Sequence, residues 1–199
     1  MFKVCTSAPF LPNPCYLPFF FSVVCQNKNY KTIKNNIMNK KILYLDMDGV
    51  IADFDFAIKE ICPELETSDN FPDYETRSKK VDEIVENNLD IFHNLPPYEG
   101  AIDAVNKLFE LFDIYFLSSP MWAIPESFIG KRIWIEKYFG EKAKKRLILT
   151  HRKDLNIGHF LVDDRLRNGA SEFTGEHIHF ATDKFPNWSA TLQYLESVA

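Results

Sequence analysis

The sequence predicts an α/β fold: a parallel β-sheet covered on both faces, with a helical segment inserted after the first strand. Three observations carry this prediction. Five short apolar runs each end in polar or small residues, as buried strands do. Helix-compatible stretches lie between the first runs, and strands alternating with helices imply parallel pairing. From Phe54 to about Tyr98 that alternation stops and no strand signal appears.

The first run, "KILYLDMDGV" (Lys41–Val50), is closed by Asp and Gly and reads as a buried strand ending in a loop. The charged, helix-compatible stretch that follows carries Phe71, Tyr74, Phe92 and Tyr98 and is bounded by "NLPPYEG". We read 54–99 as an inserted helical cap, and 38–53 with 100–199 as the core. "EGAIDAVNKLFELF" then supplies a helix, "FDIYFLSSP" (Phe112–Pro120) the second strand, and "PESFIGKRIWIEKYFG" the next helix. "RLILTH" (Arg146–His151), "HFLVDDR" (His159–Arg165) and "EHIHFAT" (Glu176–Thr182) supply the remaining strands. Ligands of such sheets bind beyond the carboxyl ends of the strands, where the polar residues of these runs fall.

At 199 residues and 46% apolar content the chain can build one sizeable core. Charge is uneven. Through Lys41 there are six lysines and no acid, so against a net −5 the rest of the chain carries −11. An acidic body argues against a nucleic-acid polymer as partner, because phosphate contacts need a basic surface. Cys5, Cys15 and Cys25 precede the core and Cys62 stands alone within it, which excludes a disulfide framework there and fits a reducing cytoplasm. The apolar stretch in 1–37 is too short and too proline-broken to span a bilayer. It also lacks a small-residue cleavage site, and Val24 is too bulky for lipoprotein processing before Cys25. We read 1–37 as a disordered or spurious leader, with Met38 the working start, and expect no membrane partner.

The chemistry concentrates in "YLDMDGVIADFD" (Tyr44–Asp55). Residues i and i+2 of a strand share one side, so Asp46 and Asp48 project together, and two adjacent carboxylates need compensation. A divalent cation supplies it, and carboxylate, carbonyl and water oxygens suit Mg²⁺. An EF-hand fails on spacing, because Ile51 and Ala57 stand where Gly and Glu are required. Asp53 and Asp55 read as capping or first-turn residues of the insertion. Asp163 and Asp164 end another strand on the same edge. Ser118 and Ser119 either bind a phosphate oxygen or cap the turn before Pro120. Lys131 falls inside the apolar arc of Phe128, Trp134, Ile135, Tyr138 and Phe139, so it either snorkels outward or reaches a buried anion, and the acids favour a phosphate.

"DMDGV", "SSP", "KRIWIEKYFG" and "LVDDR" resemble, in order and spacing, the four motifs of the haloacid-dehalogenase-like phosphatases. The wording is most similar to the 5′(3′)-deoxyribonucleotidase branch, including "LPPYEGA" ahead of the helix before the second strand, and the likeness runs from Lys40 to about the chain's end. It implies a three-layer Rossmann-like core with a helical cap and a Mg²⁺-dependent phosphomonoesterase acting on nucleoside monophosphates. It implies Asp46 as nucleophile forming an aspartyl-phosphate, and Asp48 as general acid and base. Mg²⁺ would lie on Asp46, the Asp48 backbone carbonyl and Asp163, with Asp164 in support or bound through water. Ser118, Ser119 and Lys131 would hold the phosphoryl oxygens.

In that branch cap aromatics enclose the base, which makes Phe71, Tyr74, Phe92 and Tyr98 stacking candidates beside their role in the insertion's own core. His151 stands where mammalian members have Arg, and Arg152 is the candidate to replace that contact. Two readings compete: a phosphatase of the same mechanism for a non-nucleotide phosphoester, and a receiver-type phospho-accepting domain. The receiver reading conflicts with a first strand ending in DxD and an acid pair arriving late. The expected partner is a small phosphate ester, and a homodimer is left open.

Overall fold

The computed structural model describes residues 40–66 and 73–199, apart from the side chain of Tyr74. The leader assigned to 1–37 and the stacking candidate Phe71 lie outside the described residues, as does the side chain of Tyr74.

All five predicted strands form: β1 (Ile42–Leu45), β2 (Asp113–Ser118), β3 (Leu147–Leu149), β4 (Phe160–Asp163) and β5 (Glu176–His179). They make one parallel sheet in the order β3-β2-β1-β4-β5. β1 is central, paired with β2 on one side and β4 on the other. Its register decides the site. Leu45 lies opposite Val162, so the next residues, Asp46 and Asp163, leave the sheet side by side. Ser118 ends β2 on the same edge.

Alternation along each strand divides the core in two. Leu43, Leu45, Ile114, Phe116 and Val162 join one large cluster with α1 (Phe54–Ile61), α2 (Tyr74–Glu86), α3 (Ile91–Asn94), α4 (Ala101–Leu111), α5 (Pro125–Phe139) and α6 (Trp188–Val198). Tyr44, Leu117 and Leu161 face the other way, against Ala170 and Phe173 of the β4–β5 connection. The thinner cover there still excludes water from the central strands.

The insertion holds α1, a 3₁₀ turn at Pro63–Glu66, α2 and α3. Asp53 caps α1, accepting from the Phe56 N–H at 3.0 Å, and Asp73 caps α2 through the Thr76 N–H at 2.8 Å. The segment leaves and returns at one point: Asp53 N–H donates to Pro96 O at 2.8 Å and Tyr98 N–H to Ile51 O at 2.9 Å. Two buried indoles fasten this junction, Trp134 to Leu95 O at 2.8 Å and Trp188 to Val50 O at 2.7 Å. The insertion is thereby rooted beside the carboxyl end of β1.

Helices α3 and α5 touch at Gly130, where a Cβ would sit 2.4 Å from Cβ of Phe92. The next residue along α5 is Lys131, so this close approach sets where its side chain enters the core. Gly130→Val should be less stable than the parent by about 3 kcal/mol, because overpacking a filled contact displaces backbone. Urea unfolding measures the difference, and an unchanged midpoint would refute the close packing.

Candidate active site

Three acids converge at the carboxyl edge. Asp46 follows β1, Asp163 ends β4 and Asp164 follows it, and one oxygen of each lies within 4.8 Å of the others. The loop after β1 turns back through Gly49, whose φ of 76° suits glycine and whose missing Cβ would stand 2.5 Å from Asp164 Oδ2. A side chain there would push the acids apart. From β5, the imidazoles of His177 and His179 donate to the main-chain carbonyls of Asp163 and Asp164, at 3.3 and 3.1 Å, and hold the acidic turn from behind.

Two buried lysines offset this charge. Lys131, 1% exposed, comes through the helix layer to Asp48 Oδ2 at 2.6 Å, with the Phe92 ring 5.5 Å from its ammonium. Lys153, 2% exposed, bridges Asp46 Oδ2 at 3.1 Å and Asp163 Oδ2 at 2.5 Å. Burial opposes ionisation of Asp46, but Lys153 and then Lys131 outweigh it and hold its carboxyl below the ordinary range. Burial likewise opposes charge on Lys153, and Asp46 and Asp163 reverse it, raising its pKa. Asp163 is pushed up to about 7 by burial and then by the charge of Asp46, with Lys153 pulling the other way. Asp164 is pushed up to about 6, again chiefly by burial.

Several polar atoms are buried without a partner: Oδ1 of Asp46, Asp48 and Asp164, and the hydroxyl of Ser118. Orphaned carboxylate oxygens beside three clustered acids fit a hard cation with oxygen ligands, and Mg²⁺ suits them. Asp46, Asp163 and Asp164 are the side chains that would hold it. The unpartnered Ser118 hydroxyl, at the end of β2 beside β1, and the ammonium groups on Asp46 and Asp48 are donors that an anion at this edge could use. The site can therefore bring a cation and a phosphoryl group together.

Asp48 lines a cleft of ≈ 220 Å³ together with Phe54, Asp55, Arg77, Val81, Ser119 and Arg165, among others, and Asp164 lines a recess with Gly49 and Tyr98. A larger cavity of ≈ 690 Å³, between the end of α5 and β3, lacks Asp48 and every other acid of this edge. Convergence of charged groups outranks size here, so the smaller cleft is the candidate site.

The structure brings together Asp46, Asp48, Ser118, Lys131, Asp163 and Asp164. Ser119 lines the cleft, but its hydroxyl donates to Thr150 O at 2.7 Å, a bond that ties β2 to β3. The substrate-contact candidates fare differently. Phe92 is fully buried, stacked on Phe54 at 5.7 Å, and covers Lys131 instead of facing the cleft. Tyr98 packs edge-on against Phe180 and lines a separate recess with Gly49, Asp53 and Asp164. Arg152 forks onto Asp154 at 2.9 and 2.6 Å with its side chain 64% exposed, outside the cleft lining. Sequence reasoning missed Lys153, which follows β3 by four residues and reaches the same edge, because in "HRKDLN" it reads as ordinary surface charge. It also missed the face of α2 carrying Arg77, Ser78 and Val81.

Comparison with known proteins agrees with this geometry. Residues 40–187 match the family model described as "5' nucleotidase, deoxy (Pyrimidine), cytosolic type C protein". A Vibrio phage KVP40 protein named "Putative 5'(3')-deoxyribonucleotidase" is 45% identical over 159 residues, spanning 80% of this chain and 86% of its own. The human "5'(3')-deoxyribonucleotidase, cytosolic type" is 30% identical over 159 residues, 68% of this chain and 77% of its own. Among solved structures, the "putative HAD-hydrolase YfnB" of Bacillus subtilis, bound to magnesium, superposes with a TM-score of 0.51 at 14% identity, covering 80% of this chain and 98% of that one. This last likeness concerns the fold.

Lys153→Met should leave Asp46 and Asp163 buried without their counter-charge, costing about 3–5 kcal/mol at pH 8 in EDTA. Their protonation at low pH removes the charge, so the folded variant binds more protons than the unfolded chain and its deficit should shrink as pH falls. Urea unfolding at pH 5 and pH 8 measures this, and a pH-independent deficit would count against the bridge.

Proposed function

The chain belongs to the 5′(3′)-deoxyribonucleotidase family of haloacid-dehalogenase-like phosphoric monoester hydrolases, and from that premise we propose that it removes phosphate from deoxyribonucleoside monophosphates through an aspartyl-phosphate on Asp46. The observation that carries this reading is the pairing of two buried lysines with Asp48 and Asp46 at the carboxyl edge of the sheet, where the Ser118 hydroxyl and one oxygen of each acid are buried without a partner.

Asp46 is held ionised by Lys153 and Lys131, as a nucleophile must be. Its carboxylate attacks phosphorus as the ester P–O bond breaks, and Asp48, which enters the cycle protonated once Lys131 turns from it to the phosphoryl oxygens, gives that proton to the departing oxygen. Asp48 then takes a proton from water, whose oxygen attacks the same phosphorus, releasing phosphate and restoring Asp46. Lys131, Lys153 and Ser118 hold the equatorial oxygens, since phosphoryl transfer depends chiefly on positioning and electrostatic stabilisation. Bound Mg²⁺ on Asp46, Asp163, Asp164 and the Asp48 carbonyl would neutralise the charge of the phosphate that Asp46 must approach.

Burial chiefly, with the charge of Asp46 adding to it, raises Asp163 and Asp164, and a bound cation would offset both effects. Among the described residues no helix is long and apolar enough to cross a membrane, and Cys62 is a free, buried thiol. Both fit a cytoplasmic enzyme that trims nucleotide pools.

Asp46→Asn should lower kcat by more than about a thousandfold while leaving thermal unfolding cooperative. Phosphate release from deoxyuridine and thymidine monophosphates should exceed that from sugar phosphates with Mg²⁺ and vanish with EDTA. A sugar phosphate as much the best substrate would overturn the nucleotide assignment, and substantial turnover by Asp46→Asn would overturn the nucleophile.

A further inference from the structure

Among the described residues, the cap wall of the cleft carries polar side chains beside Phe54 and Val81. Arg77, Ser78, Val81 and Asp82 fall on one face of α2 by their spacing, and all four line the cleft opposite Asp48, Ser119 and Met121. Phe54 adds an apolar edge at the root of the insertion.

Resting on the nucleotidase reading, we propose that Arg77 is the specificity-determining residue through which the cap recognises the part of the substrate beyond its phosphate. The phosphate has its cations already, since Lys131 and Lys153 are buried among the reacting acids. Arg77 belongs to a different population. It sits on the cap, with 32% of its side chain exposed, and among the described residues it pairs with Asp55, through one nitrogen at 3.4 Å. That contact engages one of five donors in a planar fork, and at this length and exposure it is readily exchanged for a ligand atom. A guanidinium offers donors only, while Asp82, five residues along the same face, offers acceptors. Such a wall matches a flat heterocycle whose edge carries both acceptor and donor atoms, with Phe54 and Val81 against its apolar surface. A base supplies that edge and a bare sugar phosphate does not.

The test compares deoxyuridine monophosphate with deoxyribose 5-phosphate, which keeps sugar and phosphate but lacks the base. Arg77→Gln should raise KM for the nucleotide about tenfold with kcat nearly unchanged, while KM for deoxyribose 5-phosphate moves less than about twofold. Activity on the truncated substrate also reports that the variant is folded. Asp55→Asn breaks the pair but leaves the guanidinium, so its nucleotide KM should rise far less. Equal losses on both substrates, no change on either, or an Asp55→Asn effect as large as that of Arg77→Gln would each overturn the proposal. The two readings fail separately. If the parent enzyme does not prefer the nucleotide over deoxyribose 5-phosphate, the nucleotidase reading falls and takes this one with it. If the parent prefers the nucleotide and Arg77→Gln keeps that preference, only the role of Arg77 falls.

Discussion

The Lys153 ammonium lies between Asp46 and Asp163, in contact with both, and the arrangement of the whole carboxyl edge depends on it. Two carboxylates about 4 Å apart repel by roughly 4 kcal/mol at the effective dielectric of a protein site. A third, Asp164, stands in the same cluster. A site built this way cannot be left to flexible loops, because repulsion of that size would open them. It has to be enforced by structure that is stable for other reasons.

The sheet supplies that structure. The apolar registers Leu45–Phe116 and Leu45–Val162 are decided in the core, and the polar edge is carried along by them. Gly49 then lets the chain turn without striking Asp164, and the imidazoles of β5 hold the carbonyls of the acidic turn. Both lysines need similar support, since a buried ammonium is tolerated only against carboxylates. Lys131 reaches Asp48 because Gly130 brings α5 against α3, and Phe92 covers the buried ammonium. Charge pairing and apolar packing therefore depend on each other at this edge.

The cap adds a second kind of chemistry at the same opening. Its two ends are stitched together at Ile51–Asp53 and Pro96–Tyr98, immediately after the DxD turn, so α2 is carried over the cleft without contributing to the reacting cluster. Lys131 and Lys153 are buried in close ion pairs, whereas Arg77 on the cap and Arg165 on the turn after β4 are partly exposed and held at 3.4 Å. Groups that stabilise a transition state must be preorganised, and groups that read a varied substrate need not be.

Much of this was legible in the sequence. The five strands, the helical insertion, the acids at two strand ends and the buried position of Lys131 all follow from local periodicity and from charge placed where apolar runs stop. Lys153 was not legible, because its sequence neighbours are polar and nothing nearby marks it as buried; only the pairing of β3 beside β2 brings the following loop over Asp46. Phe92 and Tyr98 read from the sequence either as stacking candidates or as the insertion's own core, because an aromatic carries no record of which way it faces, and packing turned one onto Lys131 and the other onto Phe180. Pattern along the chain determines which residues are buried and which edge is charged, since burial free energy is set by the residue itself. Which charges meet, and which ring or guanidinium faces the cleft, is decided by long-range packing, since these depend on elements that are neighbours only in space.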